Sequence, residues 1–222
     1  MKHSTQLIGT LGAIGLIAGS ANAAIVVTNG DFESPDIAAS AQIQDVPDWF
    51  DSAGNFTSWH RGESIDPQEN GTQLLAMGTT DAWVYQSLGT MDFDGGSLNW
   101  SLDKGRFADG NGSGALTVRF YSGSTGGAGE DVEINTLGLS QIGGDIALAA
   151  IGTDGSGTGV VTENGSVDLT GLTAGTEIWI ELSISNSGFA PFDNVVVSQV
   201  PEPGSLALLG LGAMVMLRRR RP

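Results

Sequence analysis

The stretch TEIWIELSIS, residues 176–185, alternates with strict period two. Ile178, Ile180, Leu182 and Ile184 share one face; Glu177, Glu181, Ser183 and Ser185 share the other, with Trp179 among them. That repeat belongs to a pleated strand with one buried and one wet face, as in an antiparallel sheet. ALTVRFYS (115–122) repeats it with Leu116, Val118 and Phe120, and SLNWSL (97–102) with Leu98, Trp100 and Leu102. AIVVT (24–28), TQLLAM (72–77), DAWVYQSL (81–88), DIALAAI (145–151) and DNVVVS (193–198) read as further strands. The glycine-rich pieces between them, DGNGSG (109–114), SGSTGGAG (122–129) and TDGSGTG (153–159), read as loops. Nothing after residue 23 sustains a 3.6-residue period. The fold class that follows is all-β: a single antiparallel β-sandwich with jelly-roll topology.

Two terminal segments fall outside this pattern. Lys2, an apolar run from Leu7 to Ala18, and Ala21-Asn22-Ala23 have the order of a secretory signal, cut by signal peptidase between Ala23 and Ala24. Gly9, Gly12, Gly15 and Gly19 make the same run a poor core helix. At the other end, Gly204–Leu217 is apolar and Arg218, Arg219, Arg220 and Arg221 follow it. Fourteen helical residues reach only about 21 Å, against roughly 30 Å of hydrocarbon. The arginines act as a cytoplasmic stop. The division expected is a signal helix at 1–23, the sandwich at 24–199, and a tail with a short hydrophobic helix at 200–222.

Charge and composition then narrow the chemistry. All 25 acids lie between Asp31 and Glu202, opposed there only by Arg61, Lys104, Arg106 and Arg119. Such a surface repels nucleic acid, which requires clustered Lys and Arg, and attracts cations. Cysteine is absent, and the only histidines are His3 and His60, so thiol catalysis and a multi-histidine zinc site are excluded. DGNGSG begins like an EF-hand loop, but Phe120 stands where the twelfth-position Glu belongs. No phosphate-binding glycine loop and no serine nucleophile elbow occur. No catalytic residue is assigned. A glycan-active hydrolase needs only two spaced carboxylates, so that reading stays open.

Several stretches together resemble one family. VTNGDFESP (27–35), VPDWF (46–50), ENGTQLLAM (69–77), WVYQSLGTMDFD (83–94), LTGLTAGTEIWIELSIS (169–185) and FDNVVVS (192–198) occur in the order of the galactose-binding-like jelly rolls of exported bacterial proteins. Those are similar to many carbohydrate-binding modules. The resemblance implies that the first and last strands lie together and that Glu33 and Asp193 share a structural calcium ion. It also implies a core position for Trp49. Alternation puts Trp100 in the core, whereas Trp59, beside His60 and Arg61, and Trp179, among the glutamates, are the candidate platforms for stacking a sugar ring.

The tail has its own resemblance. Val200-Pro201-Glu202-Pro203, the short apolar stretch and the four arginines resemble the PEP-CTERM sorting signal of Gram-negative bacteria that make exopolysaccharide. The resemblance implies recognition by an exosortase-type membrane enzyme, transient inner-membrane insertion, cleavage near the motif, and delivery to the cell surface or extracellular matrix. Prolines on both sides of Glu202 favour the extended backbone a protease-like enzyme requires. The function expected is thus a non-enzymatic surface or matrix protein whose sandwich binds polysaccharide. A structural or adhesive protein without a ligand site is the alternative. Replacing Pro201, Glu202 and Pro203 by alanine should leave the protein unprocessed in the membrane fraction; surface delivery with the tail removed would contradict the sorting reading.

Overall fold

The computed structural model describes residues 24–38, 41–44, 46–52, 58–61, 73–78, 81–105, 114–150, 160–184 and 188–202; for 58–61 it describes the backbone only. The signal segment, Pro203, the hydrophobic stretch and Arg218–Arg221 lie outside these residues. So do the His60 and Trp59 side chains.

Eleven strands are present among the described residues: β1 (Gln42–Ile43), β2 (Phe50–Asp51), β3 (Ser58–Arg61), β4 (Leu74–Met77), β5 (Trp83–Thr90), β6 (Ser97–Lys104), β7 (Leu116–Ser122), β8 (Ser140–Leu148), β9 (Val161–Asp168), β10 (Glu177–Ile184) and β11 (Ala190–Val200). They form two antiparallel sheets, ordered β1-β3-β4-β11-β6-β9 and β2-β5-β10-β7-β8. This is the jelly-roll sandwich expected from the alternation. No described helix is long and apolar enough to cross a membrane.

The core fills the space between the sheets. Leu98, Trp100 and Leu102 of β6 and Val195 and Val197 of β11 meet Val84 and Leu88 of β5, Val118 and Phe120 of β7, and Ile178, Ile180 and Leu182 of β10. Trp49 and Trp100 are both buried, as expected. β9 was hidden in the sequence because its inward face carries Glu163, Gly165 and Val167 in VTENGSVD. Gly165 stands opposite Trp100, and a Cβ there would come within 2.8 Å of the indole. The ring fills the space a side chain would occupy. Lys104 closes the edge between the sheets: its Nζ donates to Ala149 O (2.6 Å) and pairs with Glu163 (2.6 Å).

Two expectations are corrected. Residues 24–28 form no strand. They lie extended beside β5, held by one backbone bond, Val26 N to Leu88 O (2.9 Å). The buried Gln86 amide adds two more, accepting from Thr28 N and donating to Thr28 O. Nor does β10 have a wet face: every residue from Ile178 to Ile184 is buried. Its outer side is covered by the β7–β8 connection, residues 123–139.

The opening and closing motifs do lie together. Val195 N donates to Gly30 O (2.8 Å), and a Cβ on Gly30 would sit 2.2 Å from Val195 O. Phe32 meets Phe192 edge-on at 5.6 Å and Trp49 at 5.7 Å.

Candidate functional site

Three places carry the residues singled out by the sequence: the outer face of β10, the junction between residues 27–35 and β11, and the end of β11.

Trp179 is not an exposed platform. It is 4% exposed, and its indole Nε1 donates to Gly123 O (3.0 Å). Ala128, Ile134, Leu137 and Leu139 of the covering loop pack with Trp83, Tyr85, Tyr121 and Trp179 into a second apolar cluster. Ile134 anchors the loop within a single 3-10 turn, Ile134–Thr136. Polar bonds fix the rest. Tyr85 OH donates to Gly129 O and accepts from Gly129 N, and Asp51 N donates to Glu130 Oε2 (2.9 Å). Burial pushes the Tyr85 phenol above its ordinary pKa. Period two separated Trp179 from the isoleucines correctly. It could not show that a distant loop would cover that side.

Where the loop stops, a cavity of about 330 Å³ opens on the same face. Asp81, Trp83, Arg119, Glu133, Asn135 and Glu181 contribute to its lining. Its floor is a charged network. Arg119 Nε and Nη2 donate to the two oxygens of Asp145 (2.7 and 2.9 Å), while Nη1 donates to Glu181 Oε1 (3.0 Å) and Ser183 Oγ (2.9 Å). Tyr121 OH donates to Glu181 Oε2 (2.7 Å). The paired geometry is the two-pronged Arg–carboxylate contact. Hydrogen bonding to Arg119, and then to Gln141, draws the Asp145 carboxyl down to about 2. The Asp145 hydrogen bond raises Arg119, and burial followed by the Glu181 contact raises Tyr121.

Local backbone geometry makes this network. Val118 pairs with Ile146, but Phe120 pairs with Ile142, so Gly143, Gly144 and Asp145 face Arg119 alone. The bulge is formed by glycine at φ +69° and swings Asp145 toward the guanidinium. The sequence held one signal of it: Arg119 interrupts an apolar strand, on the face it shares with Thr117 and Tyr121.

At the junction, Asp193 is 4% exposed. A bulge between Asp193 and Val196 places it there, with Asn194 at φ +50°. Asn194 N donates to Asp193 Oδ1 (2.7 Å), and Asn194 Nδ2 donates to Asp103 Oδ2 (3.0 Å). The Asp193 carboxyl is pushed up to about 7. Burial is the largest cause; the bond from Asn194 N opposes it, and repulsion from Glu33, Asp103 and Asp31 adds to it. Glu33 Oε1 also accepts from Gln73 N (3.1 Å). The structure thus brings Glu33 and Asp193 into one electrostatic environment. No group of three His, Cys, Asp or Glu side chains among the described residues is arranged to hold a metal ion.

At the third place β11 runs out to Val200, which pairs with Ser97. Gln199 is tied to the 92–95 turn: its Oε1 accepts from Asp92 N (2.9 Å), and its Nε2 donates to Phe93 O (3.0 Å) and Gly95 O (3.3 Å). Pro201 is half-buried and Glu202 exposed. The cavity lies toward the other end of the sandwich. Trp83 opens β5, whereas Thr90, which closes it, leads into the 91–96 turn. Seven strand residues separate the two ends by about 23 Å.

Residues 199–221 match the family model of the PEP-CTERM protein-sorting motif. The chain therefore carries the sorting motif of an exported protein. No curated protein matches the sequence. Among solved structures, the fold is similar to the enzymatically active domain of bacteriophage CBA120 tailspike protein 4. The TM-score there is 0.50 at 11% identity, covering 81% of this chain but 21% of that one. The chain thus spans about a fifth of that domain's length. It also matches the CBM22-1 xylan-binding domain of Paenibacillus barcinonensis Xyn10C (TM-score 0.45, 13% identity, 82% of this chain and 99% of that one). A third match is TmCBM61 in complex with β-1,4-galactotriose (0.44, 10%, 82% and 100%). At these identities the likeness is one of fold.

Proposed function

We propose that this protein is a non-enzymatic polysaccharide-binding module displayed on the cell surface. In this reading signal peptidase removes 1–23. The 204–217 segment is held briefly in the inner membrane with Arg218–Arg221 inside, and an exosortase-type enzyme cuts near Pro201-Glu202-Pro203.

The observation that carries the binding reading is the cavity on the outer face of β10. It combines the edge of an aromatic ring, a fixed guanidinium, an amide and several carboxylates, the mixture that orients hydroxyl-rich rings. Its place toward the end away from the tail supports display: a module held at residue 201 presents the cavity outward. Within this network Glu181 is held out of acid–base chemistry. Both oxygens of Glu181 are engaged, by Arg119 and by Tyr121. A glycosidase acid must be free to give its proton to the leaving group. The host's exopolysaccharide should retain the protein in affinity electrophoresis without being shortened. Asn135→Ala and Trp83→Ala should each weaken retention by about tenfold, the scale of one lost buried contact. Shortened polysaccharide would favour the hydrolase, and no retention would favour a structural matrix protein.

Calcium at the junction is the second part of the proposal. A buried carboxylate facing others is relieved by a hard cation with oxygen ligands, and Glu33, Asp193 and nearby backbone carbonyls are such donors. The pH dependence follows from the raised Asp193 carboxyl. It holds its proton more tightly folded than unfolded, so its contribution is intact below its ordinary 3.8 and is lost as pH rises to about 7. With chelator, the melting temperature should fall between about pH 4 and 7, a loss on the order of a few kcal/mol. Millimolar calcium should restore it at neutral pH, and Asp193→Asn or Glu33→Gln should remove the calcium effect. Identical melting curves with calcium and chelator would exclude the ion.

A further inference from the structure

The cavity has a charge character that decides which polysaccharide it accepts. Among the described residues its one basic lining group is Arg119, and that group is already committed. Four hydrogen bonds run from it to Asp145, Glu181 and Ser183. It has little left to offer a ligand anion, since a guanidinium carries five N–H donors in all. Asp81 and Glu133, both exposed at the lining, have no cationic partner among the described residues. The covering loop that forms one wall adds Glu130 and Asp131 and no basic residue.

We propose that this cavity selects polysaccharide by charge: it takes chains with free ammonium groups, as in a partly de-N-acetylated hexosamine polymer, and rejects uronate or sulfate chains. This rests on the carbohydrate reading of the same cavity. A sugar ammonium in the cavity exchanges water for the carboxylates of Asp81 and Glu133, which no described residue neutralises. A uronate there meets like charge from both carboxylates and a guanidinium whose donors are largely taken by Asp145, Glu181 and Ser183. Desolvation strengthens both effects relative to bulk water. The wider domain reinforces them, since a cleft lined by one sign of charge concentrates counter-ions.

The test is calorimetry on the full chain in a non-ionic detergent without a sugar headgroup. Chelator is present to keep metal ions out, at about pH 6 so that amines are protonated. Three tetrasaccharides are compared: glucosamine, N-acetylglucosamine and galacturonic acid. The glucosamine tetramer should bind about tenfold tighter than its N-acetylated form at low salt, and the advantage should shrink at about 0.5 M salt. The galacturonate tetramer should not bind. Asp81→Asn with Glu133→Gln should abolish the advantage, bringing the glucosamine and N-acetylglucosamine tetramers to equal affinity. Removing the same charge elsewhere, with Asp36→Asn and Asp92→Asn, should leave the advantage intact.

If the distant pair removes it equally, the attraction belongs to the acidic surface as a whole and the proposal fails. Equal affinity for the two hexosamines, or preference for galacturonate, overturns charge selection while leaving the carbohydrate reading standing. Absence of binding by all three overturns both.

Discussion

The carbonyl oxygen of Val195 lies 2.2 Å from where a side chain on Gly30 would begin, and the rest of the sandwich depends on that close approach. Only glycine lets residues 27–35 lie against β11 there, because a clash with backbone has no flexible side chain to absorb it. Once seated, Gly30 O accepts from Val195 N and Phe32 is fully buried between Trp49 and Phe192. Those rings close one end of the core. The same approach crowds Glu33 and Asp31 against the buried Asp193. Packing that stabilises the fold thus also raises the Asp193 carboxyl.

β11 carries that consequence to both ends of the domain. Its start supplies the acidic junction, and its end is a strand pinned by Gln199 two residues before Pro201. The first two residues of the sorting match, Gln199 and Val200, are therefore part of the sheet. Three extended residues span only about 10 Å, so little chain separates the folded edge from the hydrophobic segment. In the proposed surface-display reading, the turn at 91–96 is the membrane-proximal end and the cavity the distal one.

Much of this was legible in the sequence. Alternation in 97–102, 115–122 and 176–185 located β6, β7 and β10, and the paired motifs at the two ends placed Glu33 near Asp193. The parts that escaped depend on contacts distant in sequence. β9 is defined by a glycine that makes room for Trp100, so its inward face is not a hydrophobic row. Trp179 shares its face with two glutamates, and its burial comes from a loop forty or more residues away. The Arg119 network requires a β8 bulge, and two adjacent glycines in SQIGGDIAL are only a weak sign of one. Each miss concerns how one strand meets its neighbours, which periodicity does not encode.

In the proposed function, a sorted, surface-held sandwich binds polysaccharide at the cavity between β10 and its covering loop. The most direct measurement is a heteronuclear NMR titration of the protein with the host's own exopolysaccharide, followed residue by residue. Shifts concentrated at Asp81, Trp83, Arg119, Asn135 and Ser183, with none at 91–96 or 169–176, are the expected result. Shifts confined to the tail-proximal turns, or to the exposed face of β6, β9 and β11, would contradict it.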